Sequence, residues 1–297
     1  MKRDIRDNSW FVWVEAARPR TLFASISPVL VGTALAWHDG LFNPVAAVLC
    51  FLVAVLAQIA SNYANDFFDF KKGADREDRL GPARAVASGW IAPKAMLIAT
   101  FLTLGLACMF GCLLLFYGGW ILLPVGMVMA LCVLAYSAGP YPLAYNGLGD
   151  VCVLLFYGIV PVCFTYYVQA GSISLFAFLL SLAMGFLSIN ILVVNNYRDY
   201  EQDKVSRKKT TIVLFGRRYG RIIYLVNGLL AILIAAPLML RDAWISGVLL
   251  VVYSAFFILT WAKFRKTEGK ALNPMLGRTA MSVFIFALLL SVVFVFL

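Results

Sequence analysis

The chain has 297 residues, 62% of them apolar and only 13% charged, with a mean hydropathy of +0.87. A soluble fold, in which about 25% of residues are charged, cannot cover that much apolar surface, and a transmembrane barrel would need alternating segments of about 10 residues rather than runs such as Ala95–Trp120 and Leu175–Val194. The formal net charge of +10 would suggest nucleic acid in a soluble domain, but in a bilayer it marks which side each loop occupies, so no nucleic-acid partner is expected.

Apolar stretches read against polar breaks predict nine helices, over residues 22–37, 44–66, 95–117, 119–137, 151–168, 174–196, 222–240, 243–261 and 276–297. The expected fold is an all-α integral membrane protein with nine transmembrane helices around a central cavity, a single domain over 1–297 in which 1–20 form an N-terminal arm. Met1–Arg20, the apolar stretch behind it and Ala34-Leu35-Ala36 imitate a signal peptide. The polar segment is long for one, and the later spans make the chain integral in any case.

Connections alternate between tight turns (38–43, 118–119, 169–174, 241–242) and longer polar loops (67–94, 137–150, 197–221, 262–275). With nine helices, 24 of the 25 Lys and Arg residues fall on one face and only Arg241 lies opposite. Basic residues collect on the cytoplasmic side, so the N-terminus is expected in the cytoplasm and the C-terminus outside. The six cysteines all lie in apolar runs and read as packing residues; one histidine, His38, makes no metal site.

Helices two and six end in similar segments, Asn62-Tyr-Ala-Asn-Asp66-Phe-Phe-Asp69 and Asn195-Asn-Tyr-Arg-Asp199-Tyr-Glu-Gln-Asp203. Aligning Asp66 with Asp199 also aligns Asn62 with Asn195, which points to two four-helix pseudo-repeats plus a ninth helix. In each segment the Asn and two Asp positions share one helix face. Four carboxylates aimed into one cavity repel one another and are costly to desolvate, so they require cations. Oxygen ligands without His or Cys select a hard ion, Mg²⁺ first among them. Lys71, Lys72, Arg84, Lys204 and Arg207 flank the segments and would clamp a phosphate beyond the metal, so the whole describes a diphosphate site. One acidic cluster at a helix end would read as an interfacial cap; two at the same depth do not. Asp75, Glu77 and Asp78 alternate with Arg76 and Arg79, as in a solvated loop.

Ala17–Thr21 (ARPRT), Asn62–Asp75 (NYANDFFDFKKGAD), Tyr136–Asp150 (YSAGPYPLAYNGLGD) and Asn195–Asp203 (NNYRDYEQD) resemble the UbiA family of membrane prenyltransferases, and within it the branch that acts on 1,4-dihydroxy-2-naphthoate in menaquinone biosynthesis. The likeness runs from Ala17 to Leu297. It implies nine helices around a central cavity in a bacterial inner membrane, and Mg²⁺-dependent transfer of a polyprenyl group from its diphosphate to the naphthoate with loss of carbon dioxide. Carried over by position, Asp66, Asp69, Asp199 and Asp203 would hold metal, with Asp75 a further candidate. Asn62, Asn195, Arg84, Lys204 and Lys72 would bind the diphosphate substrate, Arg20 would anchor substrate, and Asp150 would handle a proton near the ring. Tyr63, Phe67, Phe68, Phe70, Tyr141 and Tyr145 are candidates to wall the cavity around an allylic cation. Beyond the membrane lipid, no obligate protein partner is expected.

Two departures stand out. The first motif has the Asp69 to Asp75 spacing rather than aspartates four apart, and the usual Gly-Lys-Arg-Thr after the second motif is Arg207-Lys-Lys-Thr210. The competing readings are the same chemistry on another acceptor such as 4-hydroxybenzoate, and a cation transporter. A transporter would place its carboxylates near the midplane rather than at helix ends.

Overall fold

Helix begins earlier than the first apolar run. A computed structural model, which describes residues 9–73, 80–240 and 244–296, has α1 (Trp10–Ala17) inside the N-terminal arm. It ends at Arg18, whose φ of 52° is left-handed, and Pro19 opens α2 (Pro19–His38). Proline suits a first helical position because its missing N–H would have no partner there. Val12, Ala16 and Ala17 of α1 are buried with Tyr63 and Met96, so the arm is docked on the bundle.

The Asn43 side chain accepts the N–H groups of Val45 and Ala46 and starts α3 (Pro44–Lys71). Its 28 residues reach about 42 Å at 1.5 Å per residue, against a hydrocarbon core of about 30 Å. The last turns therefore carry Asp66 and Asp69 out of the lipid while keeping them helical. Next come α4 (Pro93–Gly118), α5 (Leu122–Ala135), α6 (Gly149–Ala170) and α7 (Leu175–Arg198). Beyond a break lie α8 (Tyr200–Val205), α9 (Thr211–Met239), α10 (Trp244–Phe264) and α11 (Leu272–Phe296). No strand occurs among the described residues.

Eight of these helices are long and apolar enough to cross a membrane. The expected helix over 119–137 shortens to the 14 residues of α5, about 21 Å. Gly119 takes a φ of 69° before it, and the chain turns at Tyr136 into the loop containing Gly139-Pro140. Among the described residues, eight full-length spans plus one shorter apolar helix thus stand where nine transmembrane helices were expected.

The centre of the bundle is α7, flanked by α2, α6, α9 and α11. Small residues permit the closest approach. A Cβ on Gly158 would lie 2.6 Å from the Gly185 Cα, so the backbones of α6 and α7 touch there. Gly158 lies in a π-helical turn, Leu155–Ile159, which also carries Phe156 and Tyr157. The final helix α11 packs on α2 and brings the end of the chain back to its start.

Candidate active site

A cavity of about 640 Å³ lies where α3 and α7 end, walled by residues of α2, α3, α6, α7 and α11 and of the polar connections between them. Asn62, Asp66, Asp69, Arg84, Asn195 and Arg20 all line it, so residues expected from four separated segments meet in one space. Its deeper wall is apolar and aromatic, with Ala54, Val133, Phe156, Tyr157 and Ile191 among the lining.

Asp66 is 1% exposed, and its two oxygens accept the backbone N–H groups of Val86 at 3.0 Å and Ala85 at 3.1 Å. The carboxylate therefore holds the α3–α4 connection over the cavity and sets the place of Arg84. One turn later Asp69 accepts the Tyr145 hydroxyl at 2.9 Å and faces the Arg84 guanidinium at 3.7 Å. Asn62 donates to the Ala17 carbonyl at 2.8 Å and to the Thr21 hydroxyl at 3.0 Å, and accepts from Gln58. Its amide joins the cavity wall to the α1–α2 junction. Nearby, Ser137 donates to Asn65 and Tyr157 to Gln58.

The second motif does not form one helical face. Asp199 has φ −90° and ψ 9°, which breaks the helix between α7 and α8, so Asn195 and Asp203 lie on different helices. Arg198, with only 2% of its surface exposed, makes a fork to Asp199, with Nε and Nη2 each 2.7 Å from a carboxylate oxygen. The same guanidinium donates to Asn195 and to Asn273, both at 2.9 Å, and Asn273 in turn donates to the Leu80 carbonyl. Asp203 lies 3.9 Å from Lys208.

Among the described residues, no three His, Cys, Asp or Glu side chains come close enough to share a metal ion. The expected cluster of four carboxylates is thus distributed: Asp66 on backbone N–H groups, Asp69 on Tyr145 and Arg84, Asp199 on Arg198, Asp203 near Lys208. Asp66 and Asp69 line the cavity while Asp199 and Asp203 stand behind its rim. Asp75 lies outside the described residues.

Other placements differ from expectation as well. Lys204 stacks over the Tyr200 ring at 4.1 Å, outside the cavity, and the hydrogen bond to Tyr200 holds its amine above the usual range. Lys72 donates to the Ser137 carbonyl at 2.5 Å and lies over the Tyr145 ring. Burial lowers its pKa, Asp69 opposes that and Lys208 reinforces it. Of the aromatic candidates only Tyr145 lines the cavity. Tyr63 packs on Trp13, while Phe70 and Tyr141 are exposed, because the apolar wall comes from α6 instead. Asp150 lines a second, smaller cavity.

Arg198, Lys208, Asn273 and Tyr136 line the main cavity and were not singled out from the sequence. The signal for Arg198 was present: a lone cation between Asn195 and Asp199 at the end of an apolar run has to be paired if it is buried. Arg207, which stands where the resembled family has glycine, adopts a φ of 57°. Left-handed backbone disfavours an L side chain by about 1–2 kcal/mol. Arg207→Gly should therefore raise the thermal unfolding midpoint in detergent, with a net gain of up to about 1 kcal/mol after the flexibility that glycine adds to the unfolded chain.

The fold and site together define a multi-pass membrane protein whose polar chemistry gathers at helix ends above an apolar cavity. Residues 25–289 match the UbiA prenyltransferase family, and the chain belongs to that family. The 1,4-dihydroxy-2-naphthoate octaprenyltransferase of Escherichia coli (strain K12) is 33% identical over 299 residues, spanning 95% of this chain and 93% of its own. The protein of the same name from Mycobacterium tuberculosis (strain H37Rv) is 35% identical over 285 residues, spanning 94% and 95%. A UbiA homologue from Archaeoglobus fulgidus, solved bound to DMAPP and Mg²⁺, superposes with a TM-score of 0.65 at 17% identity, covering 93% of this chain and 98% of that one.

The donor set suits a hard divalent cation. The two polar motifs offer this cavity oxygen ligands, the Asp66 and Asp69 carboxylates and the Asn65 and Asn195 amide oxygens, and neither motif contains a His or Cys to favour a softer metal.

Proposed function

We propose that the protein transfers a polyprenyl group from polyprenyl diphosphate to 1,4-dihydroxy-2-naphthoate, releasing diphosphate and carbon dioxide and leaving demethylmenaquinol in the membrane. The observation that carries this reading is one cavity with two unlike ends. Asp66, Asp69, Asn195 and a set of cations close the polar end, and an apolar, aromatic wall extends from it. An amphipathic diphosphate with a long hydrocarbon tail has that shape. The names of the relatives at 33% and 35% identity support the acceptor.

Asp66, Asp69 and Asn195 would hold Mg²⁺, with Asp199 and Asp203 joining once their carboxylates leave Arg198 and Lys208. When bound, the ion neutralises charge that develops on the departing diphosphate. The chain's own cations add to that: Arg84, Arg198 and Lys208 face the same space and bind diphosphate oxygens, while Lys72 and Lys204 stand further back. Fixed donors at the place where negative charge accumulates favour cleavage of the allylic carbon–oxygen bond. Phe156 and Tyr157 line the space in which the allylic cation forms, and the apolar wall keeps water from it. Arg20, on the opposite rim at the start of α2, anchors the carboxylate of the acceptor, which the electron-rich ring needs in order to present the carbon bearing that group.

The polar site is read as facing the cytoplasm. The α1–α2 junction, both motif ends and the start of α11 meet at one end of the bundle, and these are the segments dense in Lys and Arg. That distribution of charge supports an orientation with the N-terminus in the cytoplasm and the C-terminus outside, in a bacterial inner membrane. A transporter is disfavoured because Asp66 and Asp69 lie in the last two turns of α3, and Asp199 lies at the end of α7. In the test, purified protein receives octaprenyl diphosphate and 1,4-dihydroxy-2-naphthoate with Mg²⁺ or with EDTA, and lipids are weighed by mass spectrometry. The reading expects the demethylmenaquinol mass with Mg²⁺ and its loss with EDTA. Equal product in both would remove the metal assignment, and no product in folded protein would remove the reaction.

A further inference from the structure

A second cavity lies beside the first, between the α5–α6 connection, α7 and the start of α9, with a volume of about 10 Å³. That is room for about one water-sized molecule. Three oxygens on residues of its lining make no hydrogen bond of normal distance and angle, Asp150 Oδ1, Asn196 Oδ1 and Thr211 Oγ1, although the Thr211 hydroxyl stands close to the Asp150 carboxyl. Asn196 is 3% exposed, so bulk water does not reach it either. A buried polar atom without a partner costs about 1–3 kcal/mol, and three around one small space define what fits there. The occupant has to donate twice and accept once. A single water does so, donating to Asp150 and Asn196 and accepting from the Thr211 hydroxyl.

The two cavities share a wall. Tyr136, Ala144, Leu192 and Lys208 line both. A Cβ built on Gly149 would stand in ordinary contact with the Tyr136 hydroxyl at 3.7 Å and would crowd Leu192 Cδ2 at 3.0 Å, so the phenol lies beside the residue that precedes Asp150 and the glycine lets Leu192 close the shared wall. We propose that the small cavity is a built water site, and that its water connects Tyr136, in the wall of the main cavity, to the Asp150 carboxylate as a closed proton relay for the aromatic acceptor. This rests on the main cavity being the prenyl-transfer site.

The relay matches the proton count of the reaction. The bond from the allylic carbon to diphosphate breaks with its electron pair on diphosphate, and the ring carbon bearing the carboxylate forms the new carbon–carbon bond. As it does, the ring hydroxyl ortho to that carbon becomes a carbonyl and gives its proton to Tyr136, which passes its own through the water to Asp150. The bond to the carboxylate then breaks, carbon dioxide leaves, the electron pair restores the aromatic ring, and the proton returns along the same path to the ring oxygen. No proton is released overall, so a carboxylate whose Oδ1 is buried suffices. Burial, reinforced by Tyr157, Cys152, Asp150 and Asp69, holds the Tyr136 phenol well above its usual range. Tyr136 therefore rests as a neutral hydroxyl that conducts a proton, and Asp150 is the group that keeps it.

Asp150→Asn, Tyr136→Phe and Thr211→Val are compared with the unaltered protein in Mg²⁺-containing detergent. Prenyl diphosphate binding, the mass of prenylated naphthoquinol and the rate in H₂O against D₂O are measured. The relay predicts unchanged prenyl diphosphate affinity, ring product lowered about 100-fold in Asp150→Asn and Tyr136→Phe, and a smaller loss in Thr211→Val. The solvent isotope effect of the unaltered protein should change in all three. Ring transfer at the original rate in folded Asp150→Asn would overturn the proposal, as would loss of diphosphate binding in step with ring transfer, which marks a structural role. A saturable requirement for Na⁺ or K⁺ would put a cation in the cavity and also overturn it. Failure of the unaltered protein to prenylate the naphthoate is a separate result, read before any variant, and refutes the underlying reaction.

Discussion

Asp66→Asn should lower turnover by about a thousand-fold while leaving a folded protein. The carboxylate is buried, both of its oxygens accept backbone N–H groups at the start of the 85–86 turn, and it lines the polar end of the cavity. Asparagine keeps one acceptor but turns an N–H₂ toward a second N–H, so the connection that carries Arg84 shifts. It also removes the negative charge that the divalent cation requires. Loss of one preorganised group acting on developing charge lowers rates by about 10²–10³, and here the metal ligand and the placement of Arg84 are lost together. The variant should also lose the Mg²⁺-dependent rise in thermal stability that prenyl diphosphate gives the unaltered protein. Magnesium-dependent turnover within tenfold of normal would show that Asp66 is only a structural anchor.

Arg198→Leu is expected to have the largest effect on stability. Arg198 is one of the largest fully buried side chains, and its guanidinium satisfies Asp199, Asn195 and Asn273 at once. Removing one partner of a buried ion pair costs about 3–5 kcal/mol, because the remaining charge stays in a poorly solvating place. Three elements lose their tie together: the end of α7, the start of α11 and, through Asn273, the Leu80 carbonyl of the α3–α4 connection. Thermal unfolding in detergent should show a large drop in midpoint. Arg198→Lys should recover only part of it, since an ammonium cannot make the fork to Asp199. An unchanged midpoint in Arg198→Leu would mean that Asp199 is paired some other way.

Helix positions were legible because lipid demands continuous apolar runs, and the polar connections between them stand out against 62% apolar composition. Helix ends were less so. The α5 segment is apolar throughout, and only the left-handed Gly119 and the turn after Ala135 shorten it, which apolarity does not report. The spacing of Asn62, Asp66 and Asp69 was readable because α3 continues unbroken to Lys71. The same inference on Asn195, Asp199 and Asp203 failed because the backbone departs from helix at Asp199, where the carboxylate turns back onto Arg198. Cavity residues from distant segments are harder to read: Asn273 carries no local pattern, and Tyr136 opens the 136–150 motif without a spacing that shows it faces the cavity. Only the packing of α11 on α2, and of the α5–α6 connection against α7, brings them to the site.

The central claim is that this cavity joins a polyprenyl diphosphate to a dihydroxynaphthoate ring. Competition tests it most directly: octaprenyl diphosphate, Mg²⁺ and equal amounts of 1,4-dihydroxy-2-naphthoate and 4-hydroxybenzoate in one vessel with the purified protein, products separated by mass. The account predicts prenylated naphthoquinol with one carbon dioxide released per prenyl group transferred, and little or no prenylated benzoate. Prenylated benzoate as the main product, or a prenylated naphthoate that keeps its carboxylate, would contradict it.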